Sequence, residues 1–131
     1  MSTYTVLLVD DEPEILEALR RTLRAEGYRL LTAAGRVEAR AHLAATSVDV
    51  VLSDVNMLGS SGVDLTIELK RTHPHVARVL LTGVVSSDFA TGAINDGTVH
   101  RIVTKPCDDH GLREALREAL LRDRAAPSPR D

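Results

Sequence analysis

Short apolar runs of strand length alternate along this chain with stretches whose apolar residues recur at helical spacing, and this alternation restricts the fold more than any other feature. The runs Val6-Leu7-Leu8-Val9, Val48-Asp49-Val50-Val51-Leu52-Ser53 and Val99-His100-Arg101-Ile102-Val103-Thr104 are rich in leucine and β-branched residues. Tyr28 to Ala33 and Val76 to Leu81 read the same way. After Glu12-Pro13, an acidic residue and a proline suited to a first helical turn, Ile15, Leu16, Leu19 and Leu23 share one face until Gly27 ends the helix. Val37 to Ala45 predicts a short alanine-rich helix, and Leu65, Ile67 and Leu69 lie in a third that His73-Pro74 closes. A fourth helix is expected over Phe89 to Ile94, ending near Gly97, and Leu112, Ala115, Leu116, Ala119 and Leu120 form a final amphipathic one. Alternating β and α elements predict an α/β fold, a doubly wound parallel sheet with helices on both faces. Right-handed crossovers then bring the carboxyl end of every strand to one edge, where such sheets bind their ligands.

The charged residues matter because of that edge. Asp10, Asp11, Asp54 and Lys105 each stand at or just after the end of an apolar run. With a strand order of 2-1-3-4-5, strands one and three are neighbours, and Asp10-Asp11 starts about 5 Å from Asp54. Three unscreened carboxylates so close would resist full ionisation. Mg²⁺ removes the conflict, because it takes two or three protein oxygens and completes its octahedron with waters or a phosphate oxygen. Lys105 ends strand five, roughly 10 Å from strand three by the same spacing, a gap its long stem can cross. Thr82 ends strand four and offers a hydroxyl, and Gly83 after it leaves the approach open. A cation, an ammonium and a hydroxyl around one carboxylate can neutralise the oxygens of a phosphoryl group in transfer. Asp54, flanked by the others, is the candidate nucleophile.

The bulk properties remove other function classes. The chain has 131 residues, enough for one domain with a real core. Its net charge of −3 gives no basic face for direct nucleic-acid binding. One cysteine, Cys107, excludes an internal disulfide and suits a reducing compartment. No apolar stretch approaches the ~20 residues of a membrane span, and the polar start Met1-Ser2-Thr3-Tyr4 leaves no room for a signal peptide, so a cytoplasmic location is expected. The tail from Arg122 to Asp131 contains Ala125-Ala126-Pro127-Ser128-Pro129, a linker composition. A domain over residues 1–122 and a disordered tail or start of a linker over 123–131 are therefore expected.

Asp10-Asp11, Asp54, Thr82-Gly83 and Lys105-Pro106, in this order and on these elements, resemble the receiver domain of two-component response regulators. The similarity covers residues 4 to 122. It implies a flavodoxin-like (βα)5 fold with strand order 2-1-3-4-5 and phosphoryl acceptance at Asp54 from a sensor histidine kinase or phosphotransfer protein. It implies Mg²⁺ held by Asp11, Asp54 and the backbone carbonyl of Asn56, with Asp10 assisting, and phosphoryl oxygens bound by Thr82 and Lys105. Such a domain is a phosphoacceptor that switches a partner or dimer surface, formed by the fourth helix, fifth strand and fifth helix, and is not an enzyme acting on a separate substrate. Leu81-Thr82-Gly83, Ala93-Ile94-Asn95-Asp96-Gly97 and Arg101 to Pro106 are closest to receivers often joined to transcription-activator, cyclic-nucleotide phosphodiesterase or histidine-kinase modules.

Three positions depart from that pattern. Leu58 replaces a usual proline in the loop after the acceptor, and Cys107 stands where an aromatic is frequent. Ile102 occupies the place of the switching Tyr or Phe, and its strand periodicity reads more simply as a packed residue. His100 reads as a polar strand-edge residue rather than a sensor. The remaining histidines lack the ligand spacing of a zinc site. An alternative function follows from Ile102: a phosphorylation-independent interaction module with a vestigial acidic pocket. A hydrolase with an aspartate nucleophile would need a second acid two residues later, where Asn56 stands instead.

Overall fold

Thr5–Val9 forms β1, and every residue in it is buried, as befits a central strand with no solvent face toward which to alternate. The computed structural model describes residues 3–57, 60–83, 97–104 and 109–125. In it β3 (Val50–Asp54) and β6 (Ala77–Thr82) are buried throughout like β1. β2 (Arg29–Ala33) and β7 (Arg101–Thr104) have exposed positions because they form the edges. The five strands pair parallel in the order β2-β1-β3-β6-β7. This is the expected 2-1-3-4-5 order once β4 (Asn56–Met57) and β5 (Ser60–Ser61) are set aside. These two-residue strands form a small antiparallel hairpin where an irregular loop was expected.

The helices are α1 (Pro13–Arg24), α2 (Arg36–Ala45), α3 (Gly62–Thr72) and α4 (Asp109–Ala125). Strand alternation sorts the apolar side chains into two cores. Val6, Leu8, Val50 and Leu52 pack with Leu19 and Leu23 of α1 and Leu112, Leu116 and Leu120 of α4. Leu7, Val9 and Val51 face the other way, toward Ala39 of α2 and Leu65 and Leu69 of α3. Between α2 and α3, Arg40 donates to both carboxylate oxygens of Glu68 (2.9 and 2.8 Å), which holds that carboxyl below the usual range. Across α1 and α4, Thr22 Oγ1 donates to Asp109 Oδ1 at 2.9 Å and Arg117 pairs with Glu26 at 2.9 Å. No helix among the described residues is long and apolar enough to cross a membrane.

Several boundaries differ from the sequence expectation by one or two residues, as strand and helix ends commonly do. Val48, Val76 and Val99 are buried but precede their strands. Leu65, Ile67 and Leu69 all lie in α3 as expected; Leu65 and Leu69, four residues apart, share the buried stripe, while Ile67 is 49% exposed. Two residues along a helix turn the side chain by about 200°, so Ile67 cannot join both neighbours on the core face. α1 ends as expected before Gly27, whose φ of 79° suits glycine. α4 buries the five expected apolar residues and runs to Ala125, past residue 122. The expected fourth helix and residues 126–131 lie outside the described residues.

At the amino-terminal edge of the sheet, Arg78 occupies a buried strand position with 3% exposure. Its guanidinium donates to the carbonyls of Thr98 (2.8 Å), Val76 (2.9 Å), Gly97 (3.0 Å) and Pro74 (3.4 Å). His100 Nδ1 accepts from the Arg78 N–H at 2.9 Å, and the His100 N–H donates to the Arg78 carbonyl at 2.8 Å. His100 is thus a strand-edge partner of Arg78. A delocalised cation with five donors is suited to bridging several carbonyls, and a lysine is not. Replacing Arg78 by Met should lower stability by about 2–4 kcal/mol, because buried carbonyls lose their donors. Arg78→Lys should recover only part of the loss, and urea denaturation of the three proteins measures both.

Candidate functional site

β1 ends at Val9, and the chain turns at once into α1. The Asp10 N–H still donates to Ala33 of β2 (3.1 Å), so Asp10 is anchored as a last ladder residue. Its Oδ1 accepts from the Glu12 N–H at 2.9 Å, which closes the turn into Pro13. This local bond fixes the Asp10 carboxylate, and only 1% of the residue is exposed. Asp11 follows, half-buried. Asp54 is the last residue of β3, 8% exposed, and pairs in register with Leu81 of β6.

Carboxylate oxygens of Asp10, Asp11 and Asp54 lie within 4.8 Å of one another. The structure therefore brings together the three acids that strand spacing alone placed about 5 Å apart. At that separation each like-charge pair costs roughly 3–4 kcal/mol for an effective dielectric near 20. A divalent cation reverses the sign of this interaction. An all-oxygen donor set at the mouth of a sheet fits a hard ion, Mg²⁺ or Ca²⁺, and not a soft one.

The other expected site residues are placed less completely. Thr82, the last residue of β6, is 4% exposed and pairs with Thr104 of β7. Gly83, next to it, is exposed. Lys105 lies outside the described residues, but Thr104, which precedes it, ends β7 beside Thr82. Asn56 lies in β4 opposite Ser61, two residues beyond Asp54. Leu58 and Cys107 are outside the described residues. Ile102 is half-buried and in register with Leu80, the environment of a packed strand residue.

Two residues that sequence reading did not single out hold the end of β3 in place. Gly62 begins α3, and its N–H donates to the Val55 carbonyl at 2.9 Å. A Cβ at Gly62 would collide with the Asp54 carbonyl oxygen and lie 2.8 Å from Ser53 Oγ. Its need for no side chain arises from a contact with a strand end eight residues away. Ser53 is fully buried, and its Oγ donates to the Asp54 carbonyl at 3.0 Å. Nothing in its local sequence signals this.

Comparison with known proteins adds four matches. The family model described as "Response regulator receiver domain" matches residues 6–117. The hydrogenase transcriptional regulatory protein HoxA of Cupriavidus necator is 35% identical over 88% of this chain, which spans 24% of that relative. Among solved structures, the signal receiver domain of an HD domain-containing protein from Pseudomonas fluorescens Pf-5 is 33% identical with a TM-score of 0.87, covering 95% of this chain and 99% of that one. The beryllofluoride-activated NtrC4 receiver domain dimer is 28% identical with a TM-score of 0.83, covering 91% and 98%. The chain spans about a quarter of the length of the curated relatives it matches.

Two outcomes follow from the geometry. Gly62→Ala should cost about 1–3 kcal/mol, the range for overpacking a tight contact, read as a drop in urea midpoint with an unchanged slope. Mg²⁺ at ten times its dissociation constant should raise the unfolding free energy by about 1.4 kcal/mol. Asp11→Asn should remove most of that gain, and thermal melts with and without Mg²⁺ compare the two proteins.

Proposed function

This chain belongs to the response regulator receiver family, and from that premise we propose that Asp54 accepts a phosphoryl group from a sensor histidine kinase or phosphotransfer protein. The observation that carries the reading is the meeting of three carboxylates within 4.8 Å at the carboxyl edge of the sheet, with Asp54 on the middle strand. Asp10, Asp11, Asp54 and the Asn56 backbone carbonyl would hold Mg²⁺. When bound, the ion supplies positive charge against the phosphoryl oxygens and relieves the repulsion among the acids.

The chemistry of the chain's own groups then follows. A carboxylate oxygen of Asp54 attacks phosphorus in line with the bond to the donor histidine nitrogen. The new P–O bond forms as the P–N bond breaks, and its electron pair returns to the imidazole, which takes a proton. The Asp54 carboxylate needs no base, since it is already the nucleophilic form. Thr82 would donate its hydroxyl to one phosphoryl oxygen and Lys105 its ammonium to another. Both would stabilise charge that spreads over those oxygens during transfer.

The output surface is proposed to lie on the expected fourth helix together with β7 and α4. Arg101 of β7 pairs with Glu118 of α4 at 2.7 Å, so these two elements present one continuous polar face. The NtrC4 receiver dimer supports a homodimer as one output of this chain. HoxA is a transcriptional regulatory protein, and that role carried over would make this domain the input module of a longer regulator, with DNA contact left to another part. Ile102 favours a second reading, an interaction module whose surface does not answer to phosphorylation, because isoleucine cannot make the large ring rotation of Tyr or Phe.

Incubation with Mg²⁺ and a small-molecule phosphodonor should add one phosphoryl group, seen by intact mass, and Asp54→Asn should abolish it. An unchanged mass for folded wild-type protein, with the donor active on a control receiver, would overturn the proposal. A phosphorylated protein whose oligomeric state and spectra match the unphosphorylated form would support the second reading.

A further inference from the structure

The peptide unit that follows Asp54 is held from several directions. The Val55 N–H donates to Leu81 of β6 at 3.0 Å, and the Val55 carbonyl accepts from Gly62 of α3 at 2.9 Å. The Asp54 carbonyl, which shares its peptide with the Val55 N–H, accepts from Ser53 Oγ at 3.0 Å. Strand alternation puts Ser53 on the same face as Val51, toward α3, where Val9, Leu65 and Leu69 make an apolar lining. An aliphatic residue is the default in such a place, and a fully buried hydroxyl is unfavourable there unless it is bonded. Its bond runs to the peptide of the acceptor itself. Gly62 makes room for it, since a Cβ there would lie 2.8 Å from Ser53 Oγ.

We infer that Ser53 is a positioning residue for phosphoryl acceptance: its buried hydroxyl orients the Asp54–Val55 peptide and so sets the acceptor carboxylate and the Asn56 carbonyl beyond it. The inference rests on Asp54 being the acceptor. The physical argument is one of leverage. A peptide held by its N–H on Leu81 can still rotate about the strand axis. A second bond at its oxygen stops that rotation, and a displacement of about 1 Å at a reacting atom is enough to cost up to a hundredfold in rate. Ser53 touches neither the phosphoryl group nor the ion, so it acts through Asp54.

The test compares wild-type protein with Ser53→Ala and Ser53→Cys. A thiol fills the space of the hydroxyl but is a weak donor, so the cysteine variant separates volume from hydrogen bonding. Each protein is given Mg²⁺ and a small phosphodonor, and the rate of phosphoryl incorporation is followed across donor concentrations. In parallel, amide hydrogen exchange is measured without donor at Val55 and Gly62, with Val6 to Val9 as an internal reference. Positioning predicts a maximal rate lowered about tenfold in both variants, an unchanged half-saturating donor concentration, and faster exchange confined to Val55 and Gly62. If Ser53→Ala does not fold, Ser53→Cys carries the comparison. A cysteine variant with the wild-type rate and wild-type exchange overturns the inference, because volume alone then suffices. Wild-type protein that takes up no phosphoryl group would overturn the acceptor reading instead, and the exchange data still show whether Ser53 holds the peptide.

Discussion

The parallel hydrogen-bonded ladder through β1, β3 and β6 is the constraint on which the rest of the molecule depends. It aligns Val9 with Ser53 and Asp54 with Leu81, so that residues after one strand end meet residues at the next. Three carboxylates would not gather within 4.8 Å of their own accord. They are held there because the strands beneath them are buried on both faces by two apolar layers, which oppose the local repulsion. The electrostatic tension at the edge is therefore sustained by hydrophobic burial below it. A divalent cation among the three acids would relieve that tension.

The two ends of the sheet are built on different principles. At the amino end, polar groups are matched closely: Arg78 spans the turns at 74–76 and 97–98, and Asp49 accepts the N–H of Thr5 at 2.8 Å. At the carboxyl end the acids are brought together by the backbone, with Gly62 and Ser53 packed against Asp54. β7 joins the two regimes. Its entry is tied to Arg78 through His100, and its exit pairs Thr104 with Thr82 just before Lys105.

Much of this arrangement was legible because it rests on local periodicity. Runs such as Val6 to Val9 have no polar alternation, which marks strands covered on both sides, and the last helix displays its core face at Leu112, Ala115, Leu116, Ala119 and Leu120. The acidic site was legible because strand order and spacing convert positions at strand ends into neighbours. The β4–β5 hairpin was missed because two residues per strand carry no periodic signal. Ser53, Gly62 and Arg78 were missed for a shared reason: each has a role set by groups on other elements.

The sequence by itself determined the α/β architecture and, with the strand order that the family resemblance implies, the group of acids at one edge, because periodicity and charge position are properties of the chain read in one dimension. It also carried the family membership through Asp10-Asp11, Asp54, Thr82 and Lys105. Tertiary structure alone decided that Gly62 must lack a side chain, that Ser53 spends its hydroxyl on the Asp54 carbonyl, and that Arg78 is buried among carbonyls. These are contacts between strand ends, helix starts and turns brought close by the fold. Their energies depend on distances of a few tenths of an ångström, a quantity that exists only once the sheet and helices have packed.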